Sequence, residues 1–452
     1  MARLIAAALG ALLVSASWDA TAKPTHSTAV DARRVLAHET FLAGEELRGR
    51  ASATRDEAIA AAYVATQFRL AGLVAPPGIP TFMQQIPLLR QKLTGEPVLA
   101  VGGQVIDRAY LVRGVGGTIR GRALVGGGDG KSTAKAKILI VEDERLTVDQ
   151  IIAATRASEA ELVIAPAHKA LQGSRAVTGA SPLPTYPLGA APGARSTLIT
   201  LPADRLRALA AEARRGTEVT LAVPFDVEQA TTTNAIGFLP GTDPDADVIL
   251  VSAHLDHFGR RPDGVVLHGA NDDASGVVAV LELARALADG PRPRRGVLFA
   301  TYGSEEIGGL GSRHFAEQPP IPLARISANL QFEMIGFQDP KLPQGSLMMT
   351  GFERSTLGPM LRAAGARVAA DPYPEQRFFE RSDNYALALK GVVAHTLSGW
   401  TGPTYHQPSD TIATLDIPFM TRAIGSLVEP IRRIANGQTA PRWNPKGRPR
   451  SS

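Results

Sequence analysis

Between Asp31 and Leu73 apolar positions recur with a helical period. Over Arg55 to Leu70 they fall at Ile59, Tyr63, Val64, Phe68 and Leu70, one face of a helix that Gly72 is placed to end. Pro76, Pro77, Gly78 and Pro80 then break the chain. From about Lys92 to Val223 the texture changes, and short β-branched runs such as Pro97 to Val101 alternate with glycine clusters, Gly126-Gly127-Gly128 among them. Two stretches there read as strand then helix: Lys137 to Val141 leading towards Ile151-Ile152, and Thr197 to Leu201 leading to Ala203 to Ala213. This is the pattern of a separate small module, α/β or mostly β.

From Asn234 the reading becomes α/β. Asp247 to Ser252, Gly296 to Tyr302, Ile326 to Phe332, Ser346 to Thr350 and Gly391 to Leu397 are short apolar runs suited to buried strands. Ala274 to Ala288 and Ser312 to Glu317 read as helices between them. Strands alternating with helices predict a mixed, mostly parallel central sheet flanked by helices, with the earlier module inserted as a β-rich domain. In such sheets ligands bind outside the carboxyl ends of the strands.

The chain ends change this picture little. Arg3, the apolar run Leu4 to Val14 and Ala20-Thr21-Ala22 have the layout of a signal peptide over 1–22, so export to the periplasm or medium is expected. That run is shorter than the roughly 18 residues a membrane-spanning helix needs, and no later stretch reaches that length, so no stable membrane insertion is expected. The formal charge of +5 is mostly local: Arg442, Lys446, Arg448 and Arg450 lie beyond the last acidic residue, Glu429, in a stretch over 437–452 that reads as a disordered basic tail. A nucleic-acid partner would need its positive charge gathered on the folded domain, and is excluded on this balance. With no cysteine in the chain, disulfides and thiolate metal sites are excluded, and any metal must be held by histidine and carboxylate.

The residues able to do so sit where the strand-end rule puts a ligand. His254 and Asp256 follow the first strand; Asp272 and Asp273 lie in Gly269 to Gly276, the loop that opens a helix; Glu305 and Glu306 follow the strand ending at Tyr302; Glu333 follows Phe332; and His406 lies in Tyr405 to Thr411. Two imidazoles and several carboxylates suit zinc, and a shared carboxylate lets such a set hold two ions about 3.5–4 Å apart. One glutamate of the adjacent pair would remain to move protons. Singly, each group reads more readily as a surface, satisfied core or capping residue; their order, each beside a strand end, is what points to a site. His257 and His268 flank the site as rim residues, His395 reads as a core residue or a neighbour of the pocket, and Ser382 and Asp383 as helix-capping residues.

His254-Leu255-Asp256, Gly269 to Gly276, Ser304-Glu305-Glu306-Ile307-Gly308 and Tyr405 to Thr411 together resemble the co-catalytic di-zinc aminopeptidase family, whose members include glutamate carboxypeptidase II, plasma glutamate carboxypeptidase, glutaminyl cyclase and the non-catalytic transferrin receptor. The resemblance covers Asn234 to about Leu415 and, more loosely, Leu36 to Leu73. It implies two Zn2+ ions per chain, with Asp272 bridging them through a cis peptide to Asp273. His254 and Glu333 would complete one ion, Glu306 and His406 the other. Glu305 would be the general acid/base. Asp256 would hold the second nitrogen of His254, and Asp410 that of His406. Glu333 departs from the family, where many relatives carry aspartate; the longer side chain keeps the ligand chemistry and asks for a shifted backbone.

The expected organisation is a signal peptide over 1–22, an N-terminal helical part of the catalytic domain over 23–91, an inserted domain resembling the protease-associated type over 92–223, a zinc peptidase domain over 224–436, and the tail. The expected function is that of an exported exopeptidase releasing N-terminal residues from peptide substrates; the sequence is silent on oligomeric state. A carboxypeptidase or dipeptidase of the same family would need a basic clamp, for which Arg354, Arg377 and Arg381 are candidates. The same motifs would also suit a single-zinc glutaminyl cyclase or a transferrin-receptor-like binding protein.

Overall fold

A computed structural model describes residues 29–126, 136–192 and 196–450. The expected signal peptide and two of the three clustered glycines, Gly127 and Gly128, lie outside the described residues. The body of the molecule is a nine-stranded sheet. At its centre Ala394–Ser398, Ile326–Glu333, Val248–His254 and Val297–Tyr302 run parallel to one another in that spatial order. Antiparallel pairings flank them: Leu347–Met349 against Ala394–Ser398 on one side, Phe225–Leu239 against Val297–Tyr302 on the other.

The central strands read as unbroken apolar runs because both faces are covered. Along Val248–His254 the residues alternate between two cores: Ile249, Val251 and Ala253 join the larger cluster, Val248 and Leu250 the cluster on the opposite face. Helices Ala32–Leu42, Ser275–Ala288 and Ile417–Asn436 pack together on the first side. Leu310–Glu317 and Asn384–Lys390 pack together on the second. Ser275–Ala288 is buried along nearly its whole length, so the loop that opens it, Gly269 to Ala274, is seated on a fixed element at the carboxyl edge of the sheet.

Met83–Leu93 and Phe225–Leu239 pair over eleven residues, from Met83 against Ala235 to Leu93 against Phe225. The chain therefore leaves the body and returns along one two-stranded ribbon. Beyond it, residues between 98 and 223 build a second, eight-stranded sheet with its own apolar clusters. Three helices, Val148–Ala157, Lys169–Thr178 and Ala203–Arg214, accompany those strands, so this unit is α/β in composition as well as rich in strand.

The basic tail departs from expectation. Residues 437–450 are ordered along the body instead of disordered: Trp443 stacks obliquely on His395 at 5.3 Å, meets Phe379 edge-on at 6.3 Å, and donates its indole N–H to the Gly391 carbonyl at 3.0 Å. It also bridges to Ser355, while the Arg442 amide donates to Thr356 Oγ1. Composition suggested disorder; one aromatic anchor with a matching slot outweighs it. Truncating a fully buried tryptophan costs about 3–5 kcal/mol, so Trp443→Ala, at a half-buried position, is expected to cost about 1–2 kcal/mol, read as a lower midpoint in urea unfolding.

Candidate metal centre

Five segments deliver the site, one of them the stretch between Ala394–Ser398 and Ile412–Thr414, which carries His406. Val248–His254 ends on His254, Ile326–Glu333 ends on Glu333, Val297–Tyr302 leads into Glu305 and Glu306, and the loop before Ser275–Ala288 carries Asp272. The Asp272–Asp273 peptide is cis, as the resemblance implies. Gly269 fits that loop in two ways: its φ is +61°, and a Cβ there would come within 2.2 Å of the Asp272 carbonyl oxygen.

Asp272 is the hub. Its Oδ1 lies 3.2 Å from His254 Nε2, and its Oδ2 lies 3.2 Å from His406 Nε2. His254, Asp272 and Glu333 converge on one point, and His257, Asp272 and Glu306 on another. His406 Nε2 is 3.6 Å from Glu306 Oε2, which joins it to the second group. Bonds of 2.0–2.1 Å at tetrahedral angles put neighbouring donor atoms about 3.3 Å apart, so these separations suit a shared divalent ion. Unpartnered atoms give the same answer. His254 Nε2, Glu306 Oε1 and Glu333 Oε2 are buried with no hydrogen-bond partner, a costly state unless something cationic lies among them. The donor set therefore fits zinc.

The electrostatics agree. Burial pushes the carboxyls of Glu305 and Glu306 well above the usual range; for Glu305 the imidazole of His254 opposes this, while the charges of Glu333, Asp383 and Asp256 add to it. Asp272 goes the other way despite its burial, held well below the usual range by the imidazoles of His254 and His406 that stand beside its two oxygens. So many acids around so few cations make a site that is destabilised until positive charge enters it.

Surrounding residues differ from expectation in three places. Asp256 does not offer its carboxylate to His254: Oδ1 is 3.9 Å from Nδ1, and the nearer acceptor is the Asp256 backbone carbonyl at 3.2 Å. The carboxylate instead accepts the Ser52 hydroxyl and the backbone N–H groups of Glu305, at 2.8 Å, and Glu306, at 3.3 Å. Its work is to hold the Glu305-Glu306 turn. Asp410 likewise leaves His406 alone and accepts the amides of Asn271, at 2.8 Å, and Asp272, at 3.1 Å. His257, expected at the rim, is fully buried inside the cluster, with Nδ1 2.8 Å from Glu306 Oε1.

Two further residues brace the cluster. Asp273 ties three segments, accepting the amides of His254, Gly276 and Met334 at 2.9–3.1 Å. Arg50 is fully buried and donates to the carbonyls of Leu255, His268 and Gly269, locking the His254 segment to the Asp272 loop. Nothing in the sequence around Arg50 signals this, since the partners that make this lock are backbone atoms more than two hundred positions away.

Beside Glu333 a cavity of about 50 Å³ is lined by Met334, Met348, Thr350, Phe378 and Arg381. Of the three candidate clamps only Arg381 reaches it; Arg354 packs on Phe379, and Arg377 pairs with Glu380.

An α/β sheet carrying an imidazole–carboxylate cluster at its carboxyl edge defines the class. Residues 234–428 match the family model of Peptidase family M28. Among curated proteins the chain is 30% identical over 215 residues to a probable lipoprotein aminopeptidase, LpqL, of Mycobacterium tuberculosis, covering 39% of this chain and 40% of that one. It is 34% identical over 164 residues to mouse aminopeptidase NAALADL1, covering 31% and 21%. The chain thus spans well under half the length of these relatives. Among solved structures it superposes on an aminopeptidase from Aneurinibacillus sp. strain AM-1 with a TM-score of 0.61 at 20% identity, over 95% of this chain and 99% of that one. The Bacillus subtilis zinc aminopeptidase gives 0.57 at 19% identity, over 90% and 95%. At these identities the likeness is one of fold.

Proposed function

We propose that the chain is an exported zinc-dependent aminopeptidase that holds two ions and releases N-terminal residues from peptides. The observation that carries this is the convergence of two donor groups on the two oxygens of Asp272. His254 and Glu333 would hold one ion, and Glu306 and His406 the other, with Asp272 shared. Bound there, the ions would supply Lewis acidity and a water acidic near neutral pH. Glu305 is the carboxylate left over: it takes a proton at its side-chain oxygen and returns it to the departing amine. Asp256 fixes the turn that carries it, through the Glu305 and Glu306 amides. Export is supported by the layout of the first 22 residues and by the lipoprotein named among the relatives.

The cavity beside Glu333 is the pocket for the N-terminal side chain in this reading. Met334, Met348 and Phe378 favour a compact apolar group, and the guanidinium of Arg381 opposes a cationic one. Leucyl-4-nitroanilide is therefore expected to be turned over with a kcat/KM at least about tenfold above that of the lysyl compound; equal values would remove the pocket from this role. Arg381 is also the one observation favouring a second reading, in which a substrate carboxylate is bound and a C-terminal residue released. Peptides with a blocked amine and a free carboxylate separate the two.

The strand-rich unit between 98 and 223 is proposed to be of the protease-associated type and to roof the cleft, limiting substrate length. Support comes from the loop after the metal-site histidines, where Arg261 Nη1 donates to the Val177 carbonyl of that unit at 3.2 Å.

A further inference from the structure

His257 occupies a position that a rim residue could not. Its side chain is fully buried, and neither ring nitrogen has a hydrogen-bond partner. Nδ1 stands 2.8 Å from Glu306 Oε1 and 3.9 Å from Asp272 Oδ2, yet the Glu306 contact lacks the angle of a hydrogen bond and leaves both atoms unpartnered. Two atoms with lone pairs, so close and not bonded to each other, face a common third position. The backbone sets the ring there. The His257 amide donates to the Arg50 carbonyl at 3.2 Å, and the residue bridges to Ala51. Gly269 leaves room for the ring, since a Cβ at that position would lie 2.5 Å from His257 Cγ.

Glu306 shows the other half of the arrangement. Its Oε1 is turned to His257 and its Oε2 to His406, which approaches from the opposite side. The rings of His257 and His406 are 6.0 Å apart between centroids and inclined at 61°, side by side around the same acid.

We propose that His257 is a ligand of the second metal position, which is then built from His257, His406, Glu306 and one oxygen of Asp272. The inference rests on the two-ion reading above. It makes the two positions unequal. The first has one imidazole and two carboxylates; the second has two imidazoles and two carboxylates. Imidazole is a neutral ligand well matched to zinc, so it adds a bond without adding to the crowded negative charge. The second position is expected to fill first and to empty last under a chelator.

The test is X-ray absorption at the zinc edge on the zinc-loaded chain, joined to zinc titration of His257→Asn. Asparagine keeps a hydrogen-bond donor beside Glu306 but is a poor zinc ligand, so it preserves a purely positioning role and removes a ligating one. Three imidazoles shared by two ions are expected in the unsubstituted protein. In the variant, affinity for one of the two ions is expected to fall at least 100-fold while the other is retained. Two imidazoles for two ions, or a variant that binds both ions as tightly as the parent, would overturn the assignment of His257 and leave the two-ion reading intact. A chain that takes up a single zinc would overturn that reading and this inference with it. The absorption measurement needs no substitution, so a variant that fails to fold does not block the test.

Discussion

Glu305→Gln is expected to keep its zinc and lose turnover by about 10²–10⁴-fold, the range contributed by a positioned proton-transfer group. The substitution is close to isosteric. The backbone amide of Glu305 would still donate to Asp256 Oδ1, so the turn that carries Glu306 stays in place. What is lost is a carboxylate able to accept and return a proton. The same side chain sits among Glu333, Asp383 and Asp256, and burial raises its affinity for protons further. Neutral glutamine relieves that crowding, so the folded state should be no less stable. The check pairs metal analysis with kcat on leucyl-4-nitroanilide. A variant with full zinc and parental kcat would remove Glu305 from the reaction.

Asp272→Asn is expected to act on the ions themselves. Both oxygens of Asp272 are engaged, one towards His254 and one towards His406. An amide leaves one oxygen and no charge, so one position loses its Asp272 ligand outright and the other keeps only a weak neutral one. Zinc content should fall well below that of the parent after dialysis. Ion-derived stabilisation of several kcal/mol, at about 1.4 kcal/mol per tenfold in rate, corresponds to a loss of about 10³-fold or more in kcat/KM. Circular dichroism of the variant should match that of the chelated parent, since Asp273 and Asp410 hold the loop through backbone amides that the substitution leaves untouched. Retention of two tightly held ions would show that Asp272 does not bridge them.

Much of the fold and site is legible in the sequence, for a physical reason. Strands buried on both faces announce themselves as short apolar runs, and the open end of a parallel sheet is where loops gather, so His254, Asp272, Glu305, Glu306 and Glu333 can be placed near one another without coordinates. What each neighbour does is harder to read. Asp256 and Asp410 look like partners for the nearest histidine along the chain, yet their carboxylates hold backbone amides of loops that only the fold brings beside them. His257 lies just past the end of a strand, where no period fixes the direction of a side chain. Its burial follows from a backbone contact to Arg50, about two hundred residues earlier. The tail misleads for a related reason: prolines and arginines suggest disorder, and a single docked indole decides otherwise.

Aminopeptidase action is tested most plainly by comparing hydrolysis of leucyl-4-nitroanilide with that of its N-acetylated counterpart by the zinc-loaded chain. Turnover of the free amine is expected, with a kcat/KM for the acetylated compound lower by about 10²-fold or more, since binding the amine near the ions would position the carbonyl for attack. Equal rates on both compounds, or activity confined to peptides with a blocked amine and a free carboxylate, would rule aminopeptidase action out.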